Sequence, residues 1–482
     1  MGETVDVLIV GGGPVGLTAR ALLARWGVRP LLVEKYRELS PFPRSRLVNV
    51  RTMEIFRGLG LTEPITARAF RSEFARVRFR DTLLDRDFAS EAMVGVHDPI
   101  PESPAQGVVT SQDRLEPTLV AATDAPIRFG AELVDLIEED DHVVAVLVED
   151  GVRTRVRARY VLAADGANST VRQLLGIDVA GPGALRQATN VLFDADLEAF
   201  SAENPGGAYF TTFGSFGPLY PEGGWFWSGA TPEDPEHADY AALVSRAIGG
   251  QDIAVKVWRV QHWLMSAFLA RQFRHGRVLL AGDAVHAIPP IGGMGMNTGV
   301  ADVHNLCWKL AGVLRGWAAP SLLDSYEAER QPAGQQILDQ ALANTKLLAQ
   351  AAQRRQEQLR DGEAGREPVE LPWSEKYFDQ TEMVLGVTYA STAVLGDDAG
   401  QRMPHNWLSE GRSTLDAVGE WFTLFSSGDP GQRASRWPAR VEALPGAAGA
   451  LLVRPDGHVA ARWASVPDDA TLESALAAVT GN

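Results

Sequence analysis

Cysteine and lysine are scarce in this sequence. Its 482 residues include one cysteine, Cys307, and five lysines among 45 basic residues. A lone cysteine forms no internal disulfide and no cysteine-based zinc site, and it excludes Cys-x-x-Cys dithiol chemistry. Such usage fits a reducing compartment, the cytoplasm. Positive charge is short overall: 61 acidic residues against 45 basic ones leave a net charge of −16. Nucleic acids and anionic membranes bind clustered Lys and Arg, so neither is an expected partner. The sequence has no run of about 18 apolar residues, and no membrane-spanning helix is expected. The start, "MGETVD", has neither the basic region nor the cleavage site of a signal peptide. What remains is a chain of ordinary hydrophobicity, 45%, with a length prior of about three domains. Glycine, by contrast, is concentrated in two revealing places.

The first is "VDVLIVGGGPVGLTARALLARWGVRPLLVEK", Val5 to Lys35. The apolar run Val7 to Val10 predicts a parallel strand buried on both faces. Gly11, Gly13 and Gly16 follow with G-x-G-x-x-G spacing, with Pro14 and Val15 inside the loop. In this pattern the first glycine makes a tight turn and the second lets a pyrophosphate approach. The third lets helix and strand pack closely. The helix N-terminus then faces the phosphates. Glu34 ends the next strand about 20 residues on, where an acid accepts ribose hydroxyls. Together these features predict a dinucleotide site rather than a βαβ unit whose glycines serve packing alone.

The second is "LLAGDAVHAIPPIGGMGMNTGVADVHNLCWKL", Leu279 to Leu310. A buried strand delivers Asp283, and a helix begins at Gly293 to Asn297 with Val300, Val303, Cys307, Leu310 and Leu314 on its buried face. Free amides and the helix dipole favour negative charge at that start. A reduced flavin is such an anion. The two loops therefore read as grips on opposite ends of FAD, adenosine and pyrophosphate at the first, the flavin ring at the second. Between them, "YVLAADG" ends in Asp165 and Gly166 at a strand terminus. That pair is either a ligand contact or a plain Asp-Gly turn.

The rest of the chain divides around these loops. The fold class expected is α/β: a Rossmann-like FAD-binding domain, an inserted antiparallel β-sheet substrate domain, and a C-terminal thioredoxin-like domain without Cys-x-x-Cys. The FAD-binding domain takes residues 1–73, 101–180 and 269–395, the last with a helical extension to about Gln353 and a charged linker from Arg354 to Glu370. The substrate domain takes 74–100 and 181–268, and the C-terminal domain 396–482. In the inserted sheet, Tyr209, Thr211 and Phe213 alternate and share a face, as do Trp225 and Trp227. These aromatics line a pocket for a flat substrate, or they are the core of the sheet. Trp258 and Trp263 carry the same two readings. His262, His275 and His286 are acid–base candidates by residue type alone, and no catalytic residue is assigned. Near the C-terminus, "ALLVRPDGHVAARW" reads as a hairpin around Pro-Asp-Gly.

With both loops, the Asp-Gly pair and "PRSR" (Pro43 to Arg46) in view, the chain resembles the p-hydroxybenzoate hydroxylase family of class A flavoprotein monooxygenases. Within it, the chain is most similar to the FAD-dependent aromatic polyketide hydroxylases. The resemblance spans essentially the whole chain. It implies cofactor roles for Gly11, Gly13, Pro14, Val15, Gly16, Glu34 and Lys35. Arg44 and Arg46 contact FAD and help dock NADPH or NADH. Gln112, from "SQDRLEPTL", bonds the cofactor near its phosphates or ribityl chain, and Leu133 makes a backbone contact to adenine. Asp165 sits between the cofactor and the approaching nicotinamide. Asp283 takes the ribityl and pyrophosphate region, and the carbonyl of Pro290 lies by the flavin. Gly293, Gly295, Met296 and Asn297 bring backbone to the ring. Two departures stand out: Met294 replaces a polar or aromatic residue, and the C-terminal domain is shorter than the resemblance leads one to expect.

The chemistry implied is hydroxylation of a small aromatic substrate through a flavin C4a-hydroperoxide, consuming NAD(P)H and O2, by a monomer or homodimer. No second G-x-G-x-x-G in strand context is present, so NAD(P)H is expected to bind transiently. Three alternatives remain. A Baeyer–Villiger oxygen insertion uses the same cofactor. A flavin halogenase is disfavoured because "WFWSGA" lacks the Ile-Pro of a W-x-W-x-I-P motif. A non-catalytic FAD-bound interaction protein would not need an intact flavin loop.

Overall fold

The computed structural model describes residues 3–250, 253–360, 380–426, 439–444 and 449–482. The strand Glu3–Val10 runs through an eight-stranded sheet with Val7, Leu8 and Ile9 fully buried. It pairs in parallel with Pro30–Glu34 on one side and with the second half of Val152–Ala163 on the other. Helix Pro14–Arg25 makes the crossover, opened by a proline whose missing N–H costs nothing at a first turn. Val278–Leu280 continues the parallel order beyond Val152–Ala163. Gly11, Glu34, Asp165 and Asp283 therefore lie at or just beyond the carboxyl ends of adjacent parallel strands, where open α/β sheets hold ligands. The first half of Val152–Ala163 forms a hairpin with Val143–Glu149. Its turn places Asp150 and Gly151 at positive φ, +49° and +79°, as a two-residue hairpin loop requires.

A second eight-stranded sheet is built from Arg76–Phe79, Ala89–Ala92, Val179–Asp194, Ala208–Thr211, Gly214–Tyr220, Gly223–Ala230, Lys256–Ala270 and His286–Ala287. The stretch around Arg76 joins this sheet, but its pairing with Ala208–Thr211 is parallel. That corrects an all-antiparallel reading. More than a hundred residues, most of them in the first domain, separate the two strands, and so long a connection permits either direction. One face of this sheet packs Val191, Phe193, Tyr209, Phe216, Trp225 and Trp227 against helix Tyr240–Ile248. The other face looks towards the first sheet.

Helix Asp324–Arg360 runs longer than the sequence suggests. The residues read as the start of a charged linker continue it, because Arg355 bonds Asp81 at 2.6 and 2.9 Å and lies 5.0 Å over Phe88. The rest of that expected linker, 361–370, lies outside the described residues.

The C-terminal region has a four-stranded sheet in the order Ala439–Ala443, Phe422–Ser426, Ala450–Val453, Val459–Trp463, closed by helix Asp469–Thr480. Its hairpin turn does more than reverse the chain. Asp456 is buried, bonds Arg454 and accepts the indole N–H of Trp308 at 3.1 Å. Arg454 grips Glu329 with two nitrogens, at 2.6 and 2.8 Å, and Lys309 reaches the same carboxylate at 2.8 Å. Two cations and two anions thus balance in a fully buried cluster that joins the C-terminal sheet to the long helix and to Gly295–Leu314. Removing one partner leaves a buried charge uncompensated. Glu329→Ala is expected to lower unfolding stability by about 3–5 kcal/mol, read by urea denaturation; a loss under 1 kcal/mol would contradict this account.

Candidate functional site

The two sheets enclose a cleft of about 1790 Å³. At one end the first glycine loop forms its wall. A Cβ on Gly11, where φ is +108°, would lie 2.3 Å from the Ala164 carbonyl oxygen, and one on Gly16 would lie 2.0 Å from the Gly11 carbonyl oxygen. A Cβ on Gly13 would meet nothing within 4 Å. Gly11 and Gly16 therefore serve the turn and the packing, while Gly13 faces open space where a phosphate can approach backbone. Gly16 lies behind the wall; Gly11, Gly13, Pro14 and Val15 line it. Glu34 is pinned at its strand end, accepting the Gly12 amide at 2.6 Å and the Tyr36 amide at 2.9 Å. Lys35 and Leu133 line the same end.

The second loop lines the same cleft beside the first, with Val15 packed against Gly282 and Gly299. Helix Gly295–Leu314 has no side-chain cap, and its first internal bond runs from the Thr298 amide to the Met294 carbonyl. The amides of Gly295, Met296 and Asn297 therefore have no partner within the helix. Gly292 and Gly293 reach this start through positive φ, +97° and +66°. The side chain of Asn297 sits behind the wall and holds the turn in place. Its amide nitrogen donates to the Gly293 and Leu47 carbonyls at 2.7 and 2.9 Å, and its oxygen accepts the Asn49 amide at 2.9 Å. Asp302, fully buried on the same helix, accepts from Gly282 N at 3.0 Å and Arg330 Nε at 2.8 Å, and bonds His286 Nε2 at 2.7 Å. Burial alone would raise the Asp302 carboxyl, but His286 and Arg330 outweigh it and hold it down at about 2.

Between the loops lie Arg44, Gln112, Asp165, Asp283 and Pro290. Burial raises Asp283, opposed by His286 and Arg44, and burial raises Asp165, opposed by hydrogen bonds from Ser169 and Val171. Gln112 donates to Glu116 at 2.7 Å. Glu116 is only 2% exposed, and its second carboxylate oxygen has no partner among the described residues. Burial pushes this carboxyl up to about 7 against the pull of Gln112 and Arg44. The sequence reading missed Glu116. Its one signal was the four-residue helical spacing from Gln112.

Known proteins bear directly on this arrangement. Residues 4–341 match the FAD binding domain family and residues 397–482 the aromatic-ring hydroxylase C-terminal family. The chain belongs to the FAD-dependent aromatic-ring hydroxylases. It is 35% identical to the tetracenomycin B2 monooxygenase-dioxygenase of Streptomyces olivaceus, over 98% of each chain. It is 36% identical to an aklavinone 12-hydroxylase of Streptomyces peucetius, over 92% of this chain and 94% of that one. Among solved structures it resembles the flavin-dependent monooxygenase PieE in complex with FAD and substrate, with TM-score 0.88, 31% identity and 99% of each chain covered. It also resembles aklavinone-11 hydroxylase in a ternary complex with FAD and aklavinone, with TM-score 0.85, 32% identity and 100% of each chain covered.

In this hydroxylase Arg46 has a role the sequence did not show, and one sequence reading needs correction. Arg46 lines the cleft, but two of its nitrogens are engaged by backbone: the Gly207 carbonyl at 2.8 Å and the Pro218 carbonyl. Its guanidinium lies 4.8 Å over the Phe226 ring, and burial lowers it to about 10. Arg46 thus ties its own loop to the second sheet, and its Nε has no partner among the described residues. The expected substrate aromatics are misplaced. Tyr209, Trp225 and Trp227 are buried in the core under the sheet, Phe213 is 43% exposed, and neither it nor Thr211 lines the cleft. The cleft instead meets Phe210, Phe226, Ser228, Asn190 and Trp263. Side chains alternate along a strand, so the choice of the wrong face moves every assignment by one residue. Of the histidines, His286 belongs to the Asp302 cluster, and the His262 ring bonds Thr189 at 2.9 Å on the core side of the sheet. Met294 is buried against Gly292. No group of three or more potential metal ligands occurs among the described residues, and no described helix is long and apolar enough to cross a membrane.

Two variants test this geometry. Gly13 has φ −75° and open space beside it, so Gly13→Val should leave apoprotein stability within about 0.5 kcal/mol. It should also weaken FAD binding at least about a hundred-fold, because the branched side chain occupies the phosphate approach. Thermal melting and flavin fluorescence titration read the two effects separately; unchanged affinity would remove Gly13 from the cofactor site. For Glu116, a folded-state value above the ordinary one means the apoprotein loses stability as pH rises from about 4.5 to about 7. Glu116→Gln should therefore gain roughly 1–3 kcal/mol on wild type at pH 8 and little at pH 4, measured by denaturant unfolding at both pH values.

Proposed function

We propose that this hydroxylase uses NAD(P)H and dioxygen to hydroxylate a flat, polycyclic phenolic or quinonoid compound of the aromatic polyketide type. One observation carries the reading: a single cleft joins both glycine loops to the face of the second sheet that bears Phe210, Phe226 and Trp263. The activities named for the tetracenomycin and aklavinone relatives support the substrate class. The residues fit FAD, because Gly13 leaves room for a phosphate and the Gly295 helix start offers unpaired amides. When bound, FAD supplies the redox chemistry, taking electrons from NAD(P)H and activating dioxygen as an electrophilic oxygen donor.

The chain's own residues bind and position. Gly13 and the start of helix Pro14–Arg25 take the pyrophosphate, with the Arg44 charge beside it. Glu34 takes the adenosine ribose, and the backbone at Leu133 meets adenine. Gln112 and Asp283 hold the ribityl region. The amides of Gly295, Met296 and Asn297 stabilise negative charge on the ring, and the Pro290 carbonyl lies on the substrate side. Asp165 stands where a nicotinamide nucleotide would approach. The aromatic wall keeps the reacting end dry and its polar groups fixed. The C-terminal domain is read as thioredoxin-like and structural.

The test is anaerobic bleaching of the bound flavin by NADPH, timed with and without a panel of polycyclic phenols. A substrate or close mimic should accelerate bleaching by orders of magnitude. A flavin that NADPH never bleaches, whatever aromatic is present, would sink the monooxygenase reading.

A further inference from the structure

The cleft-facing side of the second sheet carries a row of side chains that the cofactor loops do not explain. Ser215 stands opposite Ser228, Ser228 opposite Asn190, and Asn190 opposite Gln261. The four strands lie side by side, so these residues form one straight line across the sheet and share one face. At about 4.8 Å between neighbouring strands, the line spans roughly 14 Å. All four residues line the cleft and are half-buried. Among the described residues, the side chains of Ser215, Ser228 and Gln261 have no hydrogen-bond partner. Asn190 has one: its Oδ1 accepts the Trp263 indole N–H at 3.1 Å. An indole nitrogen only donates, so this contact fixes the amide orientation and leaves the Nδ2 donors of Asn190 available.

The rows on either side are apolar except at one edge, where Arg259 stands opposite Leu192 and lies 5.0 Å over the ring of Phe42, which lines the cleft. Phe226 stands opposite Leu192 on one side, and Ala230, Ala188 and Trp263 align on the other. Among the described residues, no Asp, Glu, Lys or Arg of this sheet lines the cleft. Arg46, which reaches the sheet from the first domain, is engaged by two carbonyls, and its Nε has no partner among the described residues.

We propose that the row Ser215–Ser228–Asn190–Gln261 recognises the oxygenated edge of a flat polycycle, matching hydroxyl and quinone oxygens on successive fused rings. This rests on the hydroxylase reading above and narrows it to substrates whose oxygens lie along one edge. Neutral amides and hydroxyls both donate and accept, so they serve phenol and quinone oxygens alike. Phe226 and Trp263 give the ring system apolar neighbours above and below the polar line.

The experiment uses the FAD-loaded enzyme and two probes: a dihydroxyanthraquinone with both hydroxyls on one edge, and anthracene. Dissociation constants come from perturbation of the flavin absorbance. Wild type should bind the dihydroxyanthraquinone more tightly than anthracene. Asn190→Leu and Ser228→Ala should each weaken that binding about ten-fold and leave anthracene binding unchanged. Ser228→Ala removes a single oxygen, so it keeps the test decisive if Asn190→Leu fails to load flavin. Dihydroxyanthraquinone binding that the variants leave intact, or that falls in parallel with anthracene, overturns the proposal. None of these results affects substrate-stimulated flavin bleaching, which tests the hydroxylase reading separately.

Discussion

Everything in the cleft depends on two helix N-termini that open into it beside one another, and one close contact permits this. Val15, at the start of the first helix, packs into a space that exists only because Gly282 and Gly299 have no side chains. A Cβ on Gly299 would lie 2.5 Å from a Val15 methyl and 2.9 Å from the Gly282 Cα. Any side chain there would push the second helix away from the first strand end. The two sets of unpaired amides would then no longer share one elongated ligand. The glycines far apart in sequence are thus one packing device.

Around this contact the chain places charges where water does not reach. Asp302 fastens the Gly282 turn to the second helix through His286 and Arg330. Farther along that helix, Lys309 and the Glu329–Arg454–Asp456 cluster fix the C-terminal sheet. Buried ion pairs of this kind add little net stability over apolar packing, but breaking one is costly. Their value here is geometric: each holds an element at one angle, and the loops they support set the position of the flavin site. Arg46 works in the same way between its own loop and the second sheet. Its planar nitrogens take the carbonyls of Gly207, just before one strand of the second sheet, and of Pro218, inside the next, which a lysine could not do with the same fixed geometry.

The cofactor half of the cleft was legible in the sequence, and the substrate half was not. A turn that needs positive φ or close approach admits only glycine, so Gly11, Gly13, Gly16, Gly292 and Gly293 declare their geometry by residue type. Strand-end acids such as Glu34 and Asp283 follow from the same register. In the inserted sheet, alternation correctly grouped Tyr209 with Thr211 and Trp225 with Trp227, but periodicity does not say which group faces a cavity. The larger aromatics went to the core under helix Tyr240–Ile248, because burying them there removes the most apolar surface from water. The cleft received the mixed row of smaller and polar side chains. Glu116 and the second role of Asp456 were likewise hidden, since a turn aspartate and a helical glutamate look alike whether exposed or buried.

By itself, then, the sequence determined the chemistry of the cofactor end: the glycine loops, the acids at strand ends and the helix starts that favour negative charge. These are local properties, set by backbone conformations that few residues tolerate. Only the tertiary structure decided which face of the second sheet meets the cleft, that Arg46 braces the second sheet, and that Ser215, Ser228, Asn190 and Gln261 stand in one line. Those outcomes depend on strand register and on which surfaces cover one another, and residues widely separated in the chain settle them together.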